Sequence, residues 1–388
     1  MSGDRRMKES RDRPFKIRIF QPIVPEYRVA LFEGIGKRYK GRVEIWASPD
    51  IGHDISYPLQ ELPYDYNHGF RRVGPFQWQT RFSLKGLRHG DVIVVCGDIH
   101  QLSSLWIALL AKIRRIRVVW WGHHWTANTK MSRVKIRLWF AKRLSDVYLC
   151  YTRAGIDFLE EHGFRSDRIF ATGNTVNQVP IKTAIDAWDE KALAAFRKKW
   201  DLDGRVLLLI CSVLRTKVRL PQLIQALSDR RLKERRVVLA IIGDGPEEAN
   251  CRQYAEELGV ADNVIWVGAT RDQHVMAPWF MTARAFVYPG PIGLSILHSL
   301  SYGLPVIVHG TKEHQMPEFE IMENGKTGLS FEENSVADMT EKIVWAIDNP
   351  IAMSEMGAYS RQKAWHDYSM DAMIANYSAA IECAGHIN

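Results

Sequence analysis

Cysteine is scarce in this 388-residue sequence: there are five, at positions 96, 150, 211, 251 and 383, with no C-x-x-C among them. An odd, scattered set excludes a disulfide framework and a zinc knuckle, and it fits a reducing compartment. Long apolar runs are also missing. The stretch Leu105–Ala111 is far too short to span a bilayer. The N-terminal MSGDRRMKESRDR is charged throughout, with no apolar core of a signal peptide, so residues 1–14 are expected to form a disordered tail. Internal repeats and low-complexity tracts are absent.

What is present is ordinary globular material, 46% hydrophobic and 25% charged, in a length that suggests two domains. The net charge of +8 is unevenly spread, with +13 in residues 1–180 and −5 in the remainder. A basic half joined to a mildly acidic half points to an anionic partner for the first half. No segment resembles a nucleic-acid recognition module, so an anionic lipid or a phosphorylated acceptor is expected rather than nucleic acid.

Short apolar strands alternate with helix-length segments. FKIRIF (15–20), RVEIWA (42–47), DVIVVCG (91–97), RVVWWG (117–122), DVYLCY (146–151) and RIFATGN (168–174) read as one series. RVLLLICS (205–212), RVVLAIIG (236–243), NVIWVG (263–268), ARAFVYP (283–289) and PVIVHG (305–310) form a second. Such alternation predicts βαβ units and parallel sheets covered on both faces. The fold class is α/β, with two doubly wound Rossmann-like domains whose carboxyl-end crevices face a cleft. The expected boundaries are an N-terminal domain at 15–180, a C-terminal domain at 181–365, and a terminal helix at 366–388. Residues 175–190, with Pro180, read as a linker.

Several segments carry chemistry. In 241–268 a strand ends in Gly243-Asp244-Gly245-Pro246 before a helix, a tight turn that lacks the G-x-G-x-x-G spacing. In 288–310 a strand ends, a glycine-rich turn follows, and a helix begins near Ser295. Amides at such a helix start suit a diphosphate, and His298 lies on the first turns; an ordinary βα turn is the alternative. The loop after the first strand of the second series crowds Arg215, Lys217 and Arg219, as a basic cradle or simply a solvated loop. Gly122-His123-His124 ends a strand of the first series. His123 suits polar contact with a sugar or acid–base work, whereas metal binding by the pair lacks a clear third ligand. Asp201-Leu202-Asp203 has D-x-D spacing but precedes a strand and reads as a loop. Tyr27 and Arg28 follow the first strand and face an acceptor, or belong to a plain loop. In 130–144, Met131, Val134, Leu138 and Ala141 form a stripe amid Lys130, Arg133, Lys135, Arg137, Lys142 and Arg143, with Trp139 and Phe140 adjacent. That composition suits an interfacial helix on anionic lipid, or a packed amphipathic helix with a solvated basic face.

The string from Gly243 to Gly268, the run Gly293-Leu294 through Gly303-Leu304-Pro305-Val306-Ile307, and Glu320 through Gly325-Lys326-Thr327-Gly328 resemble retaining glycosyltransferases of family four. Tyr151-Thr152 with Gly155, and Asn174-Thr175-Val176-Asn177, resemble that family's first-half motifs. The resemblance implies a GT-B fold and transfer from a nucleoside-diphosphate sugar with retention and without a metal or other cofactor. The acceptor it implies is lipid-linked or a glycan, in cell-surface polysaccharide assembly on the cytoplasmic face of a membrane. It makes the domain at 15–180 the acceptor side and has the terminal helix cross back to it. It places the donor diphosphate on Arg215, Lys217, Gly293, Leu294 and Ser295, and makes His123 the cleft histidine. The family's paired glutamates, separated by seven residues, fall on Gly290 and His298, which leaves His298 as a candidate ribose contact. A catalytically silent scaffold is the alternative that this loss suggests.

Overall fold

The computed structural model describes residues 14–51, 55–60, 62–123 and 131–387. The expected tail at 1–14 thus lies, apart from Pro14, outside the described residues, as do His124 and Lys130. The chain forms two units. The first holds the described residues up to Gly173 together with those from Asp371 onward, and the second runs from Asn174 to Met370.

In the first unit the strands are β1 (Ile17–Phe20), β2 (Val43–Trp46), β3 (Tyr64–Asp65), β4 (Phe70–Val73), β5 (Phe76–Gln79), β6 (Val92–Cys96), β7 (Arg117–Trp121), β8 (Val147–Cys150) and β9 (Ile169–Ala171). Seven form a parallel sheet in the order β3-β2-β1-β6-β7-β8-β9, and β4 and β5 pair as a separate antiparallel hairpin. Every residue of β1 and β8 is buried, because both faces of the sheet are covered, and Arg18 in β1 is accommodated by its ion pair with Glu44 at 2.5 Å. The C-terminal helix Met370–Gly385 lies against this unit. A β-carbon at Gly34 would sit 2.2 Å from Ile374, so only glycine admits that approach.

Helix Met131–Leu144 turns Val134, Leu138 and Ala141 into the same core as Trp120 and Tyr148. Of the two readings open for this stripe, packing holds for Val134, Leu138 and Ala141, while Met131 is exposed; burying Val134 and Leu138 contributes roughly 1.5–3 kcal/mol each. Among the described residues no helix is long and apolar enough to cross a membrane.

The second unit has six parallel strands: β10 (Val206–Cys211), β11 (Val237–Ile242), β12 (Val264–Gly268), β13 (Ala285–Tyr288), β14 (Val306–His309) and β15 (Gly328–Phe331), ordered β12-β11-β10-β13-β14-β15. Residues 175–190, expected to be a linker, contain helix Gln178–Asp186, capped by the Asn177 side chain. Pro180 sits in its first turn, where a missing N–H costs nothing. This helix packs against helix Gln273–Thr282 of the same unit.

Candidate functional site

Each sheet reverses its winding once: beside β1 and β6 in the first unit, and beside β10 and β13 in the second. At such a switch point the following loops diverge to opposite faces and open a crevice at the carboxyl ends. The chemistry-bearing residues lie on or next to these loops.

In the second unit the loop after β10 carries Arg215 and Lys217, and the turn after β13 carries Gly290 to Leu294. The two are pressed together. A β-carbon at Gly290 would lie 2.0 Å from the carbonyl oxygen of Lys217, a distance no side chain tolerates. The basic loop is also held by the Gly243–Pro246 turn. The Leu214 amide donates to the Asp244 carbonyl at 2.7 Å, and β-carbons at Gly243 and Gly245 would strike the backbone of Ser212 and Leu214. Three glycines thus let three loops meet, which is the role of G-D-G-P here.

Arg215 and Lys217 are exposed and have no carboxylate partner among the described residues. Arg219, at φ 58° in the left-handed region, is instead committed to Glu333 at 2.7 Å. Desolvation would raise the Glu333 carboxyl, but hydrogen bonds from His314 and Arg219 hold it down at about 2. Arg215 also borders a cavity of about 220 Å³ shared with Arg219, Gln222 and Glu247.

The glycine-rich turn is fixed by Gln315, whose Oε1 accepts from the Ile292 amide at 2.7 Å while its Nε2 donates to the His309 carbonyl at 2.8 Å. Helix Ser295–Ser301 follows, and the amides of Gly293, Leu294 and Ser295 find no acceptor among the described residues. Unsatisfied amides at a helix start attract anions. His298 faces sideways on this helix. Its Nε2 donates to Gln273 Oε1 at 2.8 Å, its ring lies 4.8 Å from that of Phe280, and burial pushes its pKa down to about 4. It is a neutral, packed histidine, and only Nδ1 is left for a ribose hydroxyl.

Sequence reasoning missed two carboxylate features. Glu318 Oε2 lies 3.9 Å from a β-carbon position on Gly293, and Glu318 Oε1 accepts from the Asn174 side chain at 2.5 Å. In the first unit, Asp98 bonds His100 Nδ1 at 2.8 Å, signalled only by D-x-H after a strand end.

Next to the first unit's switch point, β6 and β7 run into Gly97 and Gly122. Their backbones are pinched so closely that a β-carbon at Gly97 would lie 2.9 Å from the Gly122 Cα. Beyond them opens a cavity of about 220 Å³ bordered by Asp98, His100, Trp121, His123, Arg133, Arg137 and Tyr151. The His123 carbonyl accepts from Arg137 at 2.9 Å and from the Tyr148 hydroxyl at 3.1 Å, and its ring lies 4.4 Å from that of Tyr151. The backbone of His123 is therefore held independently of its imidazole. Next to the cavity, Arg28 is buried, with its guanidinium carbon 4.0 Å over Trp121 and one nitrogen donating to the Tyr151 hydroxyl at 3.2 Å. Its other terminal nitrogen has no partner, and no carboxylate neutralises it among the described residues. Cation–π contact offsets part of that burial cost, and an anion would offset the rest. Tyr27 is half-exposed beside it, its ring 5.4 Å from the Arg28 guanidinium carbon.

Comparison with known proteins shows what the second unit is similar to. Residues 194–363 match the family described as glycosyl transferases group 1. An uncharacterized glycosyltransferase of Haemophilus influenzae is 22% identical over 84% of each chain. A GDP-mannose-dependent alpha-(1-6)-phosphatidylinositol monomannoside mannosyltransferase of Mycobacterium tuberculosis is 26% identical over 49% of this chain and 51% of its own length. The Anabaena HepE protein, solved in complex with UDP, superposes with a TM-score of 0.69 at 13% identity, covering 95% of this chain and 100% of that one. That likeness shows the fold, GT-B with two Rossmann-like units. The matched residues contain the basic loop, the glycine-rich turn and His298, whereas His123, Tyr27 and Arg28 lie outside them.

Proposed function

We propose that this protein transfers a hexose from a nucleoside-diphosphate sugar to a lipid-linked or polysaccharide acceptor in cell-surface glycan assembly, with retention of anomeric configuration. The observation that carries this reading is the meeting of two unpaired cations, Arg215 and Lys217, with the glycine-rich turn beside the free amides of Gly293, Leu294 and Ser295. The diphosphate lies across those amides, clamped by the basic loop. As the bond from the anomeric carbon to the diphosphate breaks, these groups stabilise the charge on the departing oxygen.

The acceptor hydroxyl attacks from the same face, and its proton passes to the leaving phosphate, so neither a metal nor a protein nucleophile is required. Gly290 offers the donor sugar no side chain, and the Nδ1 of His298 makes the single ribose contact. His123 serves the reacting sugar through its imidazole, and Tyr27 and Arg28 hold the acceptor. The domains in this reading are 15–180 for the acceptor and 181–365 for the donor. The protein works on the inner face of an anionic membrane.

Lipid or glycan acceptors in the names of similar proteins, such as the mycobacterial mannosyltransferase, support the acceptor class. The absence of a carboxylate side chain at both 290 and 298 favours one alternative, a nucleotide-binding partner without turnover. The test is incubation with labelled UDP- and GDP-sugars and membrane-extracted acceptors, followed by NMR of the product's anomeric linkage. An α-linked product from an α-linked donor supports the reading. Nucleotide binding with no transfer to any acceptor favours the alternative.

A further inference from the structure

Two neighbouring helices of the first unit expose apolar side chains that none of the described residues covers. Helix Leu102–Ile113 buries Ile107, Ala108 and Ala111 and turns Leu102, Trp106, Leu109 and Ile113 outward, at the 4-3-4 spacing of a single face. Trp106 is 50% exposed and Ile113 70%. Helix Met131–Leu144 lies beside it and exposes Ile136 and Trp139, the latter 52%. Neither helix carries an acidic residue, and the exposed Arg133, Lys135 and Arg143 flank the apolar face, Arg143 lying 4.5 Å from the Trp139 ring.

We propose that this two-helix face is the surface by which the protein inserts into an anionic lipid interface, Trp106, Ile113 and Trp139 entering the headgroup–acyl boundary while Lys135 and Arg143 contact lipid phosphates. The inference rests on the membrane-peripheral reading above and differs from it in mechanism, apolar insertion rather than charge attraction alone. Two observations select lipid as the occupant. Every charged residue on the two helices is cationic, complementary to an anionic surface, and tryptophans beside basic residues are what a headgroup boundary accommodates. A partner made of a second copy would bring the same cations against themselves.

The experiment is co-sedimentation of the full chain with phosphatidylcholine vesicles, with and without phosphatidylglycerol, at low and high salt. Trp106→Ser/Ile113→Ser and Lys135→Gln/Arg143→Gln are compared with Ile351→Ser, an exposed residue of the other unit. All these positions are exposed, and melting temperatures check that each variant is folded. The native protein and Ile351→Ser should bind anionic vesicles and keep part of that binding at high salt. The Trp106/Ile113 variant should bind at least about tenfold more weakly and lose the salt-resistant fraction. The Lys135/Arg143 variant should lose mainly the salt-sensitive part. Undiminished binding of the Trp106/Ile113 variant overturns the insertion surface while leaving peripheral attachment standing. Failure of the native protein to bind anionic vesicles overturns both. A native dimer that becomes monomeric in the Trp106/Ile113 variant, with vesicle binding unchanged, assigns the face to a second copy and overturns the proposal.

Discussion

Gly290→Ala should damage both folding and nucleotide binding, although it adds one methyl group. The new carbon would lie 2.0 Å from the Lys217 carbonyl oxygen and 3.0 Å from its carbonyl carbon. Both are backbone atoms, so no rotamer change relieves the clash and the Arg215–Arg219 loop must shift bodily. Overpacking of this kind costs about 1–3 kcal/mol. For a unit of this size, that lowers the melting temperature by roughly 2–12 °C. The shift carries Arg215 and Lys217 away from the Gly293–Ser295 amides. Losing one charged hydrogen bond to the diphosphate costs about 1.5–3 kcal/mol, or roughly 10- to 150-fold in affinity. Differential scanning calorimetry measures the first effect, and isothermal titration with UDP and GDP measures the second. Gly290→Glu meets the same backbone and should fare no better, although the family's motif has glutamate there. If Gly290→Ala melts and binds like the native protein, the loop contact does not organise the site.

Three further perturbations address separate parts of the account. His123→Ala should lower turnover sharply with an unchanged melting temperature, because the backbone of His123 is held through its carbonyl; full activity, or unfolding, would count against a role in the reaction. Arg28→Met keeps the stack on Trp121 but removes the charge, so it should raise the acceptor KM by roughly 10- to 150-fold and leave donor affinity alone; an unchanged acceptor KM would remove Arg28 from the acceptor site. Buried His309 has its pKa pushed down to about 4 by desolvation, and neither ring nitrogen has a partner among the described residues. The unfolded chain protonates it near pH 6.5 and the folded one does not, so stability should fall by about 3 kcal/mol as pH drops from 6.5 to 4. Urea unfolding at the two pH values should show a shallower slope for His309→Leu, and equal slopes would contradict this.

The strands were legible wherever both faces are buried. Val92–Cys96 and Val206–Cys211 are continuous apolar runs because helices cover them on either side. The hairpin β4–β5 escaped notice because Phe70–Val73 and Phe76–Gln79 are largely exposed and show no clean alternation. Helix Gln178–Asp186 was hidden by Pro180, which a first turn tolerates. The site was legible in part. Arg215, Lys217 and the Gly293 turn announce themselves locally as a basic loop and a glycine-rich helix start. That Gly290 must be glycine is a fact about the distance to a loop some seventy positions earlier, and no local pattern encodes it. The Arg28–Tyr151 contact likewise joins residues 123 positions apart. The stripe at 131–141 has the period that both a core face and a lipid face require, so periodicity alone could not choose between them.

The central claim is that the second unit binds a nucleoside-diphosphate sugar through Arg215, Lys217 and the amides of the Gly293 turn. Isothermal titration of the native protein and of Arg215→Ala and Lys217→Ala with a panel of nucleoside diphosphates and their sugars tests it most directly. The account predicts saturable binding of at least one nucleotide by the native protein, weakened roughly 10- to 150-fold in at least one variant, with melting temperatures unchanged. No binding of any nucleotide by the folded native protein, or equal affinity in native and both variants, would contradict it.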